Sequence, residues 1–366
     1  MKKTATILTL LLFIGMLLPV TIPTEQQTTD LPTSFSWTNI NGIDYTTPIK
    51  DQSPAPTCEA YALNAALETM MQYETKELFQ PDLSETHLYF YAGGTYEQGG
   101  VNVHDAADYL IDHDVPDEGC YPDPHRPFDY PYTSLEGWEN RTVKIQDWGW
   151  VSHDQESIKE ALIEYGPLTI CIFVYEDMYD YHGEIYRRST DNIVGGHLVS
   201  LMGYNDTTES WLVKNSWGTQ WGDNGWFHMG YDPEMFIDGC YGGETGIIYV
   251  DGVFGNFKPD VPKISIETPE IYHSYIFNLK IPQLLRNGKF IQEAAPRIIG
   301  KTTFEVSAEN NEKIEFYVDD KYQYTDENKP FEWTTDLPRG THTIKTIAYD
   351  QDGDISHDLI DVFVLI

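Results

Sequence analysis

The apolar residues of this chain change period twice, and that change limits its architecture more than any other feature. After Cys58, the residues Tyr61, Leu63, Ala66, Leu67, Met70 and Met71 recur largely at three- and four-residue steps, the spacing of a helix. Pro54 and Pro56 keep the preceding chain out of a helix and Thr57 is a suitable N-cap, so Cys58 is expected in a first helical turn. Residues 103–112 repeat the signal, with Ala106, Ala107, Leu110 and Ile111 on one side. From about Asn140 the runs shorten and read as strands, at residues 169–175, 197–204, 211–214 and 226–228. After about Gly252 a stretch rich in Pro, Lys, Asp and Glu reads as a linker, and the remainder alternates with a period of two. There Ile314, Phe316 and Val318 share one face, as do Ile344, Thr346 and Ala348.

These shifts predict an α+β chain: a helical lobe and a strand-rich lobe with a cleft between them, then an all-β sandwich. The expected boundaries are a signal peptide at 1–22, a flexible segment at 23–30, a two-lobed domain at 31–252, a linker at 253–270 and the sandwich at 271–366. The signal peptide rests on Lys2 and Lys3 followed by an apolar run of 14 residues from Ile7 to Val20. That run is short for a membrane span, and the alternative to its cleavage is a retained N-terminal anchor. Either way the expected location is secreted or at the cell surface.

Charge excludes some partners. The chain has 58 acidic and 23 basic residues, a formal net charge of −35. Nucleic acid is excluded, because binding it needs Lys and Arg to displace counterions. An anionic membrane surface is excluded for the same reason. The four cysteines are Cys58, Cys120, Cys171 and Cys240. Cys171 sits in an apolar strand-like run and reads as a buried, inert thiol, which leaves Cys120 with Cys240 as the obvious pair.

Four residues carry chemistry. Gln52 lies six residues before Cys58, His197 follows Gly195-Gly196, and Asn215 opens Asn215-Ser216-Trp217-Gly218. An imidazole beside a thiol takes its proton and lowers the thiol pKa, and a helix N-terminus adds positive partial charge. An Asn side-chain oxygen can fix the ring's orientation. A Gln amide with the Cys58 N–H can hold an oxyanion. Trp217 can cover the Asn–His contact.

The words around these residues resemble the papain family of cysteine peptidases. The resemblance runs over roughly residues 31–250 and includes Leu31-Pro32, Leu83-Ser84-Glu85, Tyr165-Gly166-Pro167 and Asn215-Ser216-Trp217-Gly218. It implies a two-lobed papain-like fold and an endopeptidase acting on proteins or peptides through a thioester, with Cys58, His197, Asn215 and Gln52 catalytic. It implies a substrate cleft bordered by Gly99, Gly100, Asn102 and Leu198. It calls for no cofactor and no metal. The sequence departs from the family at the nucleophile, where Cys-Gly-Ser-Cys-Trp is replaced by Ala55-Pro56-Thr57-Cys58-Glu59. Glu59 places a carboxylate where it opposes a thiolate. A long inhibitory propeptide, common in the family, is also not evident before Leu31. The segment around Lys313, Gly340 and Tyr349 resembles the Ig-like modules appended to microbial exported proteins; it carries no catalytic constellation, and contact with a cell surface or polysaccharide is its alternative role. The rival readings are an amidase or transglutaminase using the same acyl chemistry, and a catalytically idle scaffold acting as an adhesion or binding protein.

Overall fold

Helix α1, Cys58–Thr75, organises the first domain. Thr57 occupies the N-cap position, and Lys76 stops the helix in a left-handed conformation at φ 60°. Every residue from Cys58 to Gln72 is buried, so α1 is packed on all sides rather than along one stripe. Its polar side chains therefore need internal partners. Glu68 finds them in Lys50 Nζ at 2.9 Å, Thr47 Oγ1 at 2.6 Å and the Leu83 N–H at 2.9 Å. Gln72 bonds the Tyr45 carbonyl and the Gln80 N–H. The computed structural model describes residues 31–53, 55–95, 100–123, 137–239, 245–256, 258, 260–282 and 295–366. The expected signal peptide and flexible segment lie outside them.

Two short helices complete the helical lobe, α2 at Glu85–Tyr91 and α3 at Val103–Asp112. Ser84 caps α2 by accepting the His87 N–H. Behind α1 stands an eight-stranded sheet. Its central strands are Leu168–Tyr175 and Ile193–Asn205, antiparallel, with His197 opposite Ile172. Ser210–Lys214 and Trp226–Gly230 follow in order. The strand Ser34–Ser36 pairs with the far end of Ile193–Asn205 because Gly203 has no side chain: a Cβ there would sit 2.5 Å from the Phe35 carbonyl oxygen. Ser200 Oγ donates to the Ala62 carbonyl at 2.6 Å, pinning α1 to this sheet. A fourth helix, α4 at Gln155–Glu164, sits among the strands of the second half. The sequence reading missed it, although Asp154 caps it by accepting the Ser157 N–H and Ile158 and Leu162 bury its inner face.

The C-terminal part is a β-sandwich of a three-stranded and a seven-stranded sheet. Ile314, Phe316, Ile344, Thr346 and Ala348 have no exposed surface, as alternation predicts. One expectation fails here. Lys263–Thr268, inside the expected linker, is a strand paired antiparallel with Thr302–Glu309. Ile264 and Ile266 pack against the sandwich core, so hydrophobic alternation outweighs the polar composition around them.

The sandwich is docked on the first domain within one compact unit, Thr33–Ile366. Arg141 grips Asp117 through two hydrogen bonds of 2.7 and 2.6 Å and donates to the Ile355 carbonyl and to Ser356 Oγ. The His357 N–H bonds the Gly119 carbonyl at 2.9 Å. Gly119 is needed for this approach, since a Cβ would lie 2.4 Å from Ser356 Oγ. Tyr272 Oη reaches to 3.4 Å from Ser53 Oγ, one residue after Gln52.

Lys50 is the counter-charge for three carboxylates, Glu68, Glu85 and Asp82, at 2.9, 2.7 and 2.7 Å. Lys50→Met is expected to lower unfolding free energy by about 3–5 kcal/mol, because Glu68 and Glu85 are left buried without it. Asp82→Asn, at a partner 48% exposed, should cost only about 1 kcal/mol or less. Urea denaturation of both variants checks the contrast.

Candidate active site

Cys58 is the first residue of α1, at the end where backbone N–H groups are unpaired and the dipole is positive. Thr57 occupies the N-cap position but makes no capping bond, and its hydroxyl is buried without a partner. The Leu198 backbone N–H is directed at the Cys58 sulfur, which brings the strand carrying His197 against the start of the helix. Leu198 itself has no exposed surface. Its side chain is core, so the expectation that it borders the substrate pocket is corrected: it acts through its N–H.

His197 and Asn215 meet because two neighbouring strands run antiparallel and Asn215 directly follows Ser210–Lys214. His197 Nε2 lies 2.8 Å from Asn215 Oδ1. That oxygen also accepts the Ser216 N–H at 2.8 Å, which fixes the amide as acceptor and the ring nitrogen as donor. The other ring nitrogen, Nδ1, is left to face chemistry. Trp217 stacks on the imidazole at 4.8 Å and 21°, and is itself backed edge-on by Trp221 at 4.9 Å. His197 is 4% exposed. Burial pushes its pKa down to about 4, partly opposed by the Asn215 bond, so the ring is neutral near pH 7.

Gln52 is held by the residue next to Asn215. Ser216 Oγ donates to Gln52 Oε1 at 2.6 Å, and the Gln52 N–H bonds the Ser216 carbonyl at 2.9 Å. Gln52 Nε2 donates to the Ala55 carbonyl at 3.0 Å. The amide NH2 thus points along the loop leading to Cys58 and retains a second hydrogen. Ser216, to which sequence reasoning gave no role, links the Gln52 and Asn215 side chains.

The thiol departs from expectation. Cys58 Sγ donates to Glu59 Oε2 at 3.6 Å, and Glu59 Oε1 accepts the Val101 N–H at 3.0 Å. Burial and then Glu59 push the Cys58 pKa up, against the lowering predicted from the imidazole and helix terminus. Burial thus favours the neutral thiol and the neutral imidazole in this site. Glu59 is fully buried.

Of the expected cleft residues, Gly100 adopts φ 131°, a conformation that favours glycine. Asn102 precedes α3 and its amide is committed to Asp105 Oδ2 at 2.7 Å. Gly99 lies outside the described residues. The cysteine expectation is overturned: Cys171 is disulfide-bonded, and Cys120 is a free, buried thiol 3.9 Å from Asp117 Oδ2. The apolar run that suggested an inert thiol is equally suited to a buried bridge. Cys240 lies outside the described residues.

Comparison with known proteins matches this arrangement. The model of the papain family cysteine proteases matches residues 31–243, and that of a bacterial Ig domain matches residues 294–345. A cathepsin L-like peptidase of Aedes aegypti is 31% identical over 222 residues, 58% of this chain and 62% of the relative. The chain therefore spans 62% of that relative's length. A gut-specific cysteine proteinase of Caenorhabditis elegans is 27% identical over 237 residues, 56% of this chain and 71% of the relative. The bromelain protease of Ananas comosus, solved with the E64 inhibitor, shares the fold at a TM-score of 0.50 and 23% identity, over 60% of this chain and 99% of that one. A digestive procathepsin L 3 of Tenebrio molitor does so at 0.50 and 21%, over 62% of this chain and 71% of that one.

Trp217 covers one face of the imidazole. Trp217→Ala should raise the His197 pKa from about 4 toward the ordinary 6.5, because burial is the larger influence on it. Histidine titration by NMR reads this shift. The family match covers more than half of the sequence and coincides with the thiol, imidazole and amide just described, so the chain belongs to the papain family of cysteine proteases.

Proposed function

We propose that this chain is an exported cysteine endopeptidase that hydrolyses peptide bonds of proteins or peptides through a thioester on Cys58. The observation that carries the reading is the 2.8 Å His197–Asn215 bond beneath Trp217, set against the helix terminus that bears Cys58. Asn215 fixes the ring so that Nδ1 is the free acceptor. Nδ1 takes the thiol proton, and the thiolate attacks the scissile carbonyl carbon. The Cys58 N–H and Gln52 Nε2 hold the resulting oxyanion. The imidazolium then gives its proton to the leaving amine, which departs and leaves the thioester. Water, deprotonated by the same ring, hydrolyses it and restores the thiol. No step calls for a cofactor or metal.

Export rests on Lys2, Lys3 and the apolar run that follows them. The C-terminal sandwich supplies surface or polysaccharide contact in this reading, and the exposed rings of Tyr322, beside Tyr317, and Tyr324, beside Phe316, suit a sugar. A second reading, an idle papain-like scaffold used for binding, is favoured by one observation: the resting thiol is turned to Glu59.

Covalent labelling separates the two. An epoxysuccinyl or vinyl-sulfone peptide should label the folded protein, and Cys58→Ala should abolish labelling. Failure to label the folded wild type would establish the scaffold. In the active enzyme, Gln52→Ala should lower kcat about 100- to 1,000-fold. Ser216→Ala, which only frees Gln52 Oε1, should have a smaller effect. Steady-state hydrolysis of a fluorogenic peptide measures both.

A further inference from the structure

The buried carboxyl of Glu59 is not used by the mechanism above, yet it is in contact with the reacting atom. It lies 3.6 Å from Cys58 Sγ through Oε2, and its other oxygen is fixed by the Val101 N–H at 3.0 Å. The side chain has no exposed surface, so water does not screen the pair. Cys58 is the titratable group that faces Glu59 on α1. From residues 100–102 the contact is a backbone N–H and carries no charge. From the strand Ile193–Asn205 the sulfur is faced by the Leu198 N–H, with His197 as the ionisable neighbour in the chain. Among the described residues no Lys or Arg is paired with this carboxyl.

We propose that Glu59 is a catalytic residue that shares a proton with Cys58, and that its carboxyl must be protonated for the thiolate to persist beside it. The inference rests on the peptidase reading and adds a pH limit that the thiol and imidazole alone do not impose. When Glu59 is ionised, the thiol proton is held between sulfur and carboxylate, and passing it on to His197 would leave two negative charges 3.6 Å apart in a buried site. When Glu59 takes a proton from solvent, that repulsion is gone and its O–H can donate to the sulfur. The thiol proton is then free to pass to His197 Nδ1. Burial, the largest influence, lifts the carboxyl pKa to about 7, with the Val101 N–H opposing it. The protonated form therefore prevails below neutrality and is lost above it. Rising pH silences this thiol, where an isolated thiol would become more reactive.

The test is the pH dependence of Cys58 alkylation by iodoacetamide, a neutral probe, read by mass on the Cys58 peptide so that Cys120 does not contribute. In the wild type the rate should fall about 10-fold between about pH 6 and about pH 8, as expected for loss of one proton near neutrality. In Glu59→Gln, which keeps an acceptor for the Val101 N–H without the charge, the falling limb should move up by more than about one pH unit. Superimposable profiles for wild type and Glu59→Gln would overturn the proposal. If Glu59→Gln does not fold, the wild-type profile decides: a rate that falls toward alkaline pH supports the proposal, and one that rises throughout overturns it. No alkylation of Cys58 at any pH would instead overturn the peptidase reading, and this proposal with it.

Discussion

The first domain depends on one ammonium group. Lys50 Nζ binds Glu68 of α1, Glu85 of α2 and Asp82 before it. Glu68 passes the connection through Thr47 Oγ1 to Lys214 Nζ at 2.8 Å, the residue before Asn215. Lys50 is itself two residues before Gln52. A single charged cluster thus ties together the segment that carries the proposed oxyanion donor, the helix that carries the thiol and the strand that delivers the amide. Buried charges are costly unless paired, so this arrangement holds only when all three elements are in place. That condition suits a site assembled from both lobes, where a small shift of one element separates the reacting groups.

Around this frame the site is kept electrically quiet. His197 is neutral because it is buried under Trp217, and Cys58 is held as a thiol by burial and by Glu59. The proton needed for attack is still on sulfur, and the ring that can receive it is already oriented by Asn215. Reactivity then depends on relieving the opposition of Glu59 to a negative sulfur. The usual family residue at that position is a tryptophan, which packs without titrating. This chain has a group that both packs and titrates.

The triad members were legible in the sequence because each sits in a short local word whose residues are adjacent in the chain. What surrounds them was not, because it is made by distant contacts. Glu59 could be seen to threaten a thiolate, but its partner, the Val101 N–H, lies 42 residues away. Ser216, beside Asn215, reaches Gln52 across 164 residues. The six apolar residues of α1 gave the helix, while the burial of Glu59, Asn64, Glu68 and Gln72 on its other sides came from the two lobes closing around it. Lys263–Thr268 was hidden by its charged and proline-rich neighbours, though Ile264 and Ile266 carried the alternation. The cysteine bridge was misread for a similar reason: an apolar run reports burial and says nothing about which sulfur lies opposite.

Peptide hydrolysis by this route requires acylation of Cys58 by the substrate with His197 as base. The direct measurement is acid quenching during turnover of an activated peptide ester, followed by mass mapping of the acyl group. An acyl adduct is expected on the Cys58 peptide of the wild type and is lost in His197→Ala. Product formation with no adduct on Cys58, or an adduct on Cys120 instead, would contradict this route.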